Sequence, residues 1–199
     1  FILLFVSVNF KIMKSMRHFL ALFFVGVSLM VSAQVTISGA TFQKKMDIKG
    51  EMVNYNGAGI RNKYGMNLYV SALYLPSQSA DFNKIINANE VQVINIKIIS
   101  SMVTREKFNE SVKEGFAKSS HGKATSEQMA AFKAFFSAEI KNKDDILLIY
   151  RPNVGVQVMI NGSFKGKVEG LEFKKALWSI WLGNAPADVK LKKKMLGLS

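Results

Sequence analysis

Strands, then two helices, then strands and closing helices make this chain an α+β domain on a largely antiparallel sheet. Three observations predict it. Residues 90–99 alternate apolar and polar side chains in the manner of a half-buried strand. Phe108, Val112 and Phe116 recur at helical spacing. Asn161-Gly162 lies between two strand-like runs and supplies the positive φ values that a type I′ hairpin turn needs.

The elements follow in order. Met66–Leu75 (MNLYVSALYL) is aromatic and β-branched, and Pro76 stops it. Asp81–Ala88 is short and predicts one or two helical turns. Glu90–Ile99 carries Val91, Val93, Ile94, Ile96 and Ile98, with Gln92, Asn95 and Lys97 on or near the other face. Thr104 opens a helix that His121-Gly122 breaks. Thr125 starts another, and Gln128 three residues later completes a capping box. Met129, Phe132, Phe136 and Ile140 give that helix its apolar face, widened by Phe135. Asp145–Tyr150 is a strand ended by Arg151-Pro152. Val154–Ile160 and Ser163–Val168 form the hairpin, Leu171–Leu182 an amphipathic helix with Phe173, Leu177, Ile180 and Trp181 inward, and Asp188–Leu196 a short basic helix. No linker or internal repeat divides residues 34–199, which predicts a single domain.

The N-terminus reads as an address. A short basic stretch, the apolar run FLALFFVGVSLM and Val31-Ser32-Ala33 match a signal peptide that starts at Met13 or Met16 and is cleaved after Ala33. Residues 1–12 then lie upstream of it. The apolar run is shorter than the roughly 20 residues a membrane-spanning helix needs. The chain has no cysteine. An exported domain without disulfides suits a bacterial periplasm or secretion from a bacterium better than a eukaryotic secretory route.

Composition removes several kinds of chemistry. Zero cysteines exclude thiolate metal sites and cysteine nucleophiles, and His18 and His121 are the only histidines. His121 is read as a loop residue. No acidic pattern converges with it, so no metal is expected. The chain has no Walker loop, GxGxxG or GxSxG, so no cofactor is expected either. Lys and Arg number 27 against 14 Asp and Glu, but they are scattered. Nucleic-acid binders cluster such charges with aromatic platforms, so no nucleic-acid partner is expected. Lys190 and Lys192–Lys194 suit weak contact with an anionic membrane surface.

One stretch stands apart: Asn56-Gly57-Ala58-Gly59-Ile60-Arg61, followed by Met66–Leu75. A Gly-Ala-Gly turn allows close backbone approach, and it delivers Arg61 into an apolar sheet. A buried Arg needs an anionic partner, and a ligand carboxylate or enolate would serve. Tyr69 in the next strand could add a phenolic hydroxyl, sharing its face with Ser71 and Leu73 while Leu68 and Val70 point away. The alternative is an exposed charge at Arg61 and a core aromatic at Tyr69.

The run NGAGIRNKYGMNLYVSALYLP, together with MINGSFKGKVEGLEFKKALWSIWLG, resembles the chalcone isomerase-like superfamily, specifically its bacterial exported branch, over residues 40–198. The resemblance implies an open-faced β-sandwich, a curved antiparallel sheet covered by a layer of helices with a ligand cleft between. Its plant enzymes close chalcones to flavanones, and its plastid fatty-acid-binding members hold a carboxylate with an Arg and a Tyr. Arg61 matches the family arginine, and Tyr69 the tyrosine of the binders. The isomerase's remaining residues carry over poorly. Its Tyr falls near Arg105, its Asn near Val112, with Asn109 and Ser111 only approximate substitutes, and its Thr/Ser on Ile180, while its Lys is matched loosely by Lys97. The resemblance therefore implies a non-catalytic binder of a fatty acid or similar amphipathic carboxylate through Arg61 and Tyr69. The alternative is an isomerase or intramolecular lyase on an enone, with Arg61 stabilising an enolate and Tyr69 donating a hydrogen bond. Phe132, Phe135, Phe136, Trp178 and Trp181 are aromatic candidates for the cleft wall, although most suit plain core packing.

Overall fold

The computed structural model describes residues 33–198. The leader expected before Gln34 lies outside these residues except for Ala33. Nine strands and five helices are described. The strands are β1 (Gln34–Ile37), β2 (Ala40–Gln43), β3 (Lys45–Ile48), β4 (Glu51–Lys63), β5 (Met66–Leu75), β6 (Gln92–Ile98), β7 (Asp145–Arg151), β8 (Gly155–Ile160) and β9 (Ser163–Val168). The helices are α1 (Phe82–Asn87), α2 (Arg105–Ala117), α3 (Ser126–Ala134), α4 (Leu171–Leu182) and α5 (Val189–Met195). Strands β3 to β9 form one seven-stranded sheet in sequence order, antiparallel at every step, and β1–β2 form a separate hairpin.

Alternation along the strands divides the interior into two cores. Leu73, Ile94, Ile96, Ile98, Ile146 and Leu148 face the helices and pack with Phe132, Phe173, Leu177 and Trp178. Val70, Ala72, Tyr74 and Val93 face the opposite way, where Phe42 of the β1–β2 hairpin covers them. The sheet is thus buried on both faces near its middle, so β6 is not the half-buried strand that its alternation predicts: Gln92 and Asn95 are buried as well.

Local signals decide most boundaries. Asp81 caps α1 by accepting from the Asn83 and Lys84 N–H groups. Thr104 caps α2, and both bonds of the Thr125–Gln128 capping box are formed at α3. Asn161 and Gly162 take φ values of 51° and 76° in the β8–β9 turn. Helix α3 stops at Ala134, short of the helix predicted through Ile140. Arg105 holds the following backbone instead, its Nη1 donating to the Ser137 carbonyl at 3.0 Å and its N–H to Glu139 at 3.3 Å. Phe136 and Ile140 are buried even so, from an irregular segment.

The Gly-Ala-Gly stretch is not a turn. It lies inside β4, and what approaches it is α5. A Cβ on Gly57 would sit 2.2 Å from the Lys194 carbonyl oxygen, and one on Gly59 would sit 2.8 Å from Lys194 Cβ. The buried Asn56 side chain donates to the Met195 carbonyl at 2.9 Å and fixes the end of α5 on the strand. The glycines therefore serve helix–sheet contact rather than close approach of a ligand.

Candidate functional site

A cavity of about 390 Å³ opens between the sheet end that carries the β4–β5 turn and helices α2 and α4. Leu68, Val103, Phe108, Val112, Ile180 and Trp181 make much of its wall apolar. Arg61 and Tyr69 form its polar corner. They are register partners across β4 and β5, so their side chains rise from the same sheet face. A register shift follows at once, with Arg61 opposite Tyr69 but Asn62 opposite Asn67. Leu68 is the extra residue of this bulge, so it lines the cavity beside Tyr69 instead of pointing to the other face as strict alternation predicts.

Arg61 is not unpartnered. Its Nη1 lies 3.4 Å from Asp188 Oδ2 and donates to the Asn62 carbonyl at 3.2 Å. Asp188 is the N-cap of α5, its Oδ1 accepting from the Lys190 and Leu191 N–H groups at 2.8 and 3.0 Å. Oδ2 accepts from the Asn62 N–H at 3.3 Å. Among the described residues, Nε and Nη2 of Arg61 have no acceptor, and a guanidinium can still offer that edge to a carboxylate. Tyr69 accepts from Trp181 Nε1 at 3.1 Å, which occupies an oxygen lone pair and leaves the phenol hydrogen free to donate. Burial pushes the Tyr69 phenol above its ordinary value, against the lowering effects of the Trp181 hydrogen bond and the Arg61 charge. It therefore stays a donor at neutral pH.

Val112 and Ile180 do lie in the cavity wall, at the positions the resemblance equates with isomerase Asn and Thr/Ser, and both are apolar. Arg105 is outside the wall. Lys97 is on the opposite sheet face, paired with Asp145 at 2.7 Å and set over the Phe42 ring. The loose match of Lys97 to the isomerase lysine therefore does not place it at the site. Of the aromatic candidates, only Trp181 lines the cavity, and Phe132, Phe136 and Trp178 are core. His121 bonds Ser120 and Asn83 at 3.0 Å each and ties its loop to α1. Sequence reasoning missed Asp188, because nothing local pairs an N-cap aspartate with an arginine 127 residues earlier.

A profile of chalcone isomerase-like proteins matches residues 34–197. The chain belongs to the chalcone isomerase-like family. No curated protein matches it. Its fold is similar to the crystal structure of a fatty-acid binding protein from Arabidopsis thaliana, with a TM-score of 0.67 at 18% identity over 82% of this chain and 96% of that one. The family fold and the seven-stranded antiparallel sheet with helices on one face agree with the α+β open-faced arrangement predicted from sequence.

Proposed function

We propose that the protein is an exported, non-catalytic binder of a fatty acid or similar amphipathic carboxylate, with a leader cleaved after Ala33 and a domain over residues 34–199. One observation carries the ligand reading. Arg61 and Tyr69 are cross-strand neighbours at one corner of a cavity whose wall includes the apolar Leu68, Val103, Phe108, Val112, Ile180 and Trp181. The carboxylate would take the free guanidinium edge of Arg61 and the phenol hydrogen of Tyr69, and the chain would lie along Leu68, Phe108 and Val112. A volume of 390 Å³ is at the lower end of small-molecule sites. The similar fold of a plant fatty-acid binding protein supports the reading.

The isomerase reading is weaker on a specific ground. Orienting an enone and its phenolate needs several fixed donors around the developing charge. Val112 and Ile180 offer none where the enzymes have polar groups, and of the approximate substitutes only Ser111 reaches the lining. The test is native mass spectrometry of protein purified gently from its own host. A retained acyl carboxylate, diminished by Arg61→Ala, supports the proposal. Empty protein that also fails to take up any fatty acid of a graded series refutes it, and turnover of a hydroxychalcone would transfer the assignment to the enzyme.

A further inference from the structure

The rim of the cavity carries features that its interior does not explain. Tyr64, at the tip of the β4–β5 hairpin, is 87% exposed, and Met102 and Met66 beside the same opening are 43% and 36% exposed. Tyr64 also takes a left-handed φ of 53°, which is uncommon for a bulky aromatic. With Gly65 at φ 79° it makes the two-residue hairpin turn, and Lys63 Nζ lies 5.5 Å from the ring centroid. Lys63, Lys107 and Lys118 line the same opening, and none makes an ion pair among the described residues, Lys107 Nζ donating only to the Met102 carbonyl at 3.3 Å. Glu110 and Glu114 are the acids of the wall, so the rim remains net cationic.

An aromatic tip and methionines set among unpaired lysines match the chemistry of an anionic bilayer, where tyrosine occupies the headgroup layer and lysines meet phosphate. We propose that the cavity mouth docks on an anionic phospholipid bilayer, with Tyr64 entering the headgroup region and Lys63, Lys107 and Lys118 against lipid phosphates. On α5, Lys192 donates to the Gly183 carbonyl at 2.8 Å and lies over the Phe82 ring, which takes it out of that helix's cationic face. The proposal goes beyond the carboxylate reading and stands without it, since docking needs no ligand in the cavity.

The test uses the full chain carrying Tyr64→Trp. Trp178 is buried in the core and Trp181 faces the cavity, so the new indole is read as the difference from the chain that keeps Tyr64. Vesicles of phosphatidylcholine with phosphatidylglycerol should shift its emission to the blue in a salt-sensitive manner, and pure phosphatidylcholine should not. Each lysine near an anionic surface is worth about five-fold in partitioning, so adding K63A and K107A should raise the lipid needed about 30-fold. K45A with K165A, on the two edge strands of the sheet, should change it far less. The N-terminal residues are common to every variant and cancel in these ratios. No shift on anionic vesicles, an equal shift on neutral ones, or equal sensitivity to the rim and edge lysines would each overturn the proposal.

Discussion

Replacing Arg61 by alanine separates a ligand clamp from a structural ion pair, because the two roles load different measurements. The guanidinium sits 3.4 Å from Asp188, with side-chain exposures of 19% and 13%, between a surface pair and a buried one. Breaking a buried pair costs about 3–5 kcal/mol, and exposed pairs are worth about 0–1 kcal/mol. Asp188 keeps its bonds from the Asn62, Lys190 and Leu191 N–H groups after the substitution, so no bare charge is left behind. Arg61→Ala should therefore cost about 1–2 kcal/mol in urea unfolding without ligand. The sequence alone, with no partner assigned to Arg61, suggests that stability would hold or rise instead. Loss of a charge-assisted bond to a carboxylate is worth about 1.5–3 kcal/mol, so fatty-acid affinity should fall about 10- to 150-fold by calorimetric titration. Arg61→Lys should rescue little, since it lacks the planar fork. Unfolding destabilised beyond about 3 kcal/mol, with fatty-acid affinity unchanged, would make Arg61 a structural residue and remove the clamp.

Gly57→Ala should destabilise by at least about 1–3 kcal/mol, because its Cβ would meet the Lys194 carbonyl at 2.2 Å. Hydrogen exchange should locate the loss in α5, and unchanged protection there would contradict the glycine seat. Trp181→Phe removes the hydrogen bond that lowers the Tyr69 phenol, so Tyr69 should ionise at still higher pH in an NMR titration of labelled tyrosine. A downward shift would contradict that contact. Against the Ile85, Ile86 and Ala88 carbonyls, which accept from its Nζ at 2.8–3.0 Å and favour the charged form, burial pulls the Lys174 ammonium from an ordinary 10.5 to about 7. The unfolded chain then binds that proton between these values while the native state does not, so unfolding free energy should rise with pH across the window and level off below it. Urea titrations from pH 7 to 9.5 should show this slope in the wild type and a flatter one in Lys174→Met; identical slopes would refute it.

Elements whose residues carry their own periodicity or caps were legible in the sequence. Met66–Leu75 and Leu171–Leu182 are predicted residue for residue, and the Thr125–Gln128 box forms as its spacing implies. β4 was not, because its burial does not alternate cleanly and two glycines interrupt a stretch that would otherwise read as strand. What overrides that local preference is tertiary: α5, more than 130 residues later, needs a strand surface without side chains. The early strands β1 to β3 span four residues each, too short for a period to declare itself. At the site, Arg61 and Tyr69 could be paired from sequence, but their cavity wall comes from α2, α4 and the segment before α5, which no local pattern brings together.

The same glycines make the polar corner depend on the seat of α5. Asp188 reaches Arg61 only because α5 lies flat on Gly57 and Gly59, with Asn56 holding its far end. Lifting the helix by the width of a methyl group would move its N-cap away from Nη1, where a separation of 3.4 Å leaves little reach to lose. Arg61 would then gain freedom toward the cavity as it lost its protein partner. The helix therefore sets how much of the guanidinium a ligand can claim. A substitution at Gly57, far along β4 from the cavity, should alter fatty-acid affinity as well as stability, and Arg61→Ala should abolish that second effect.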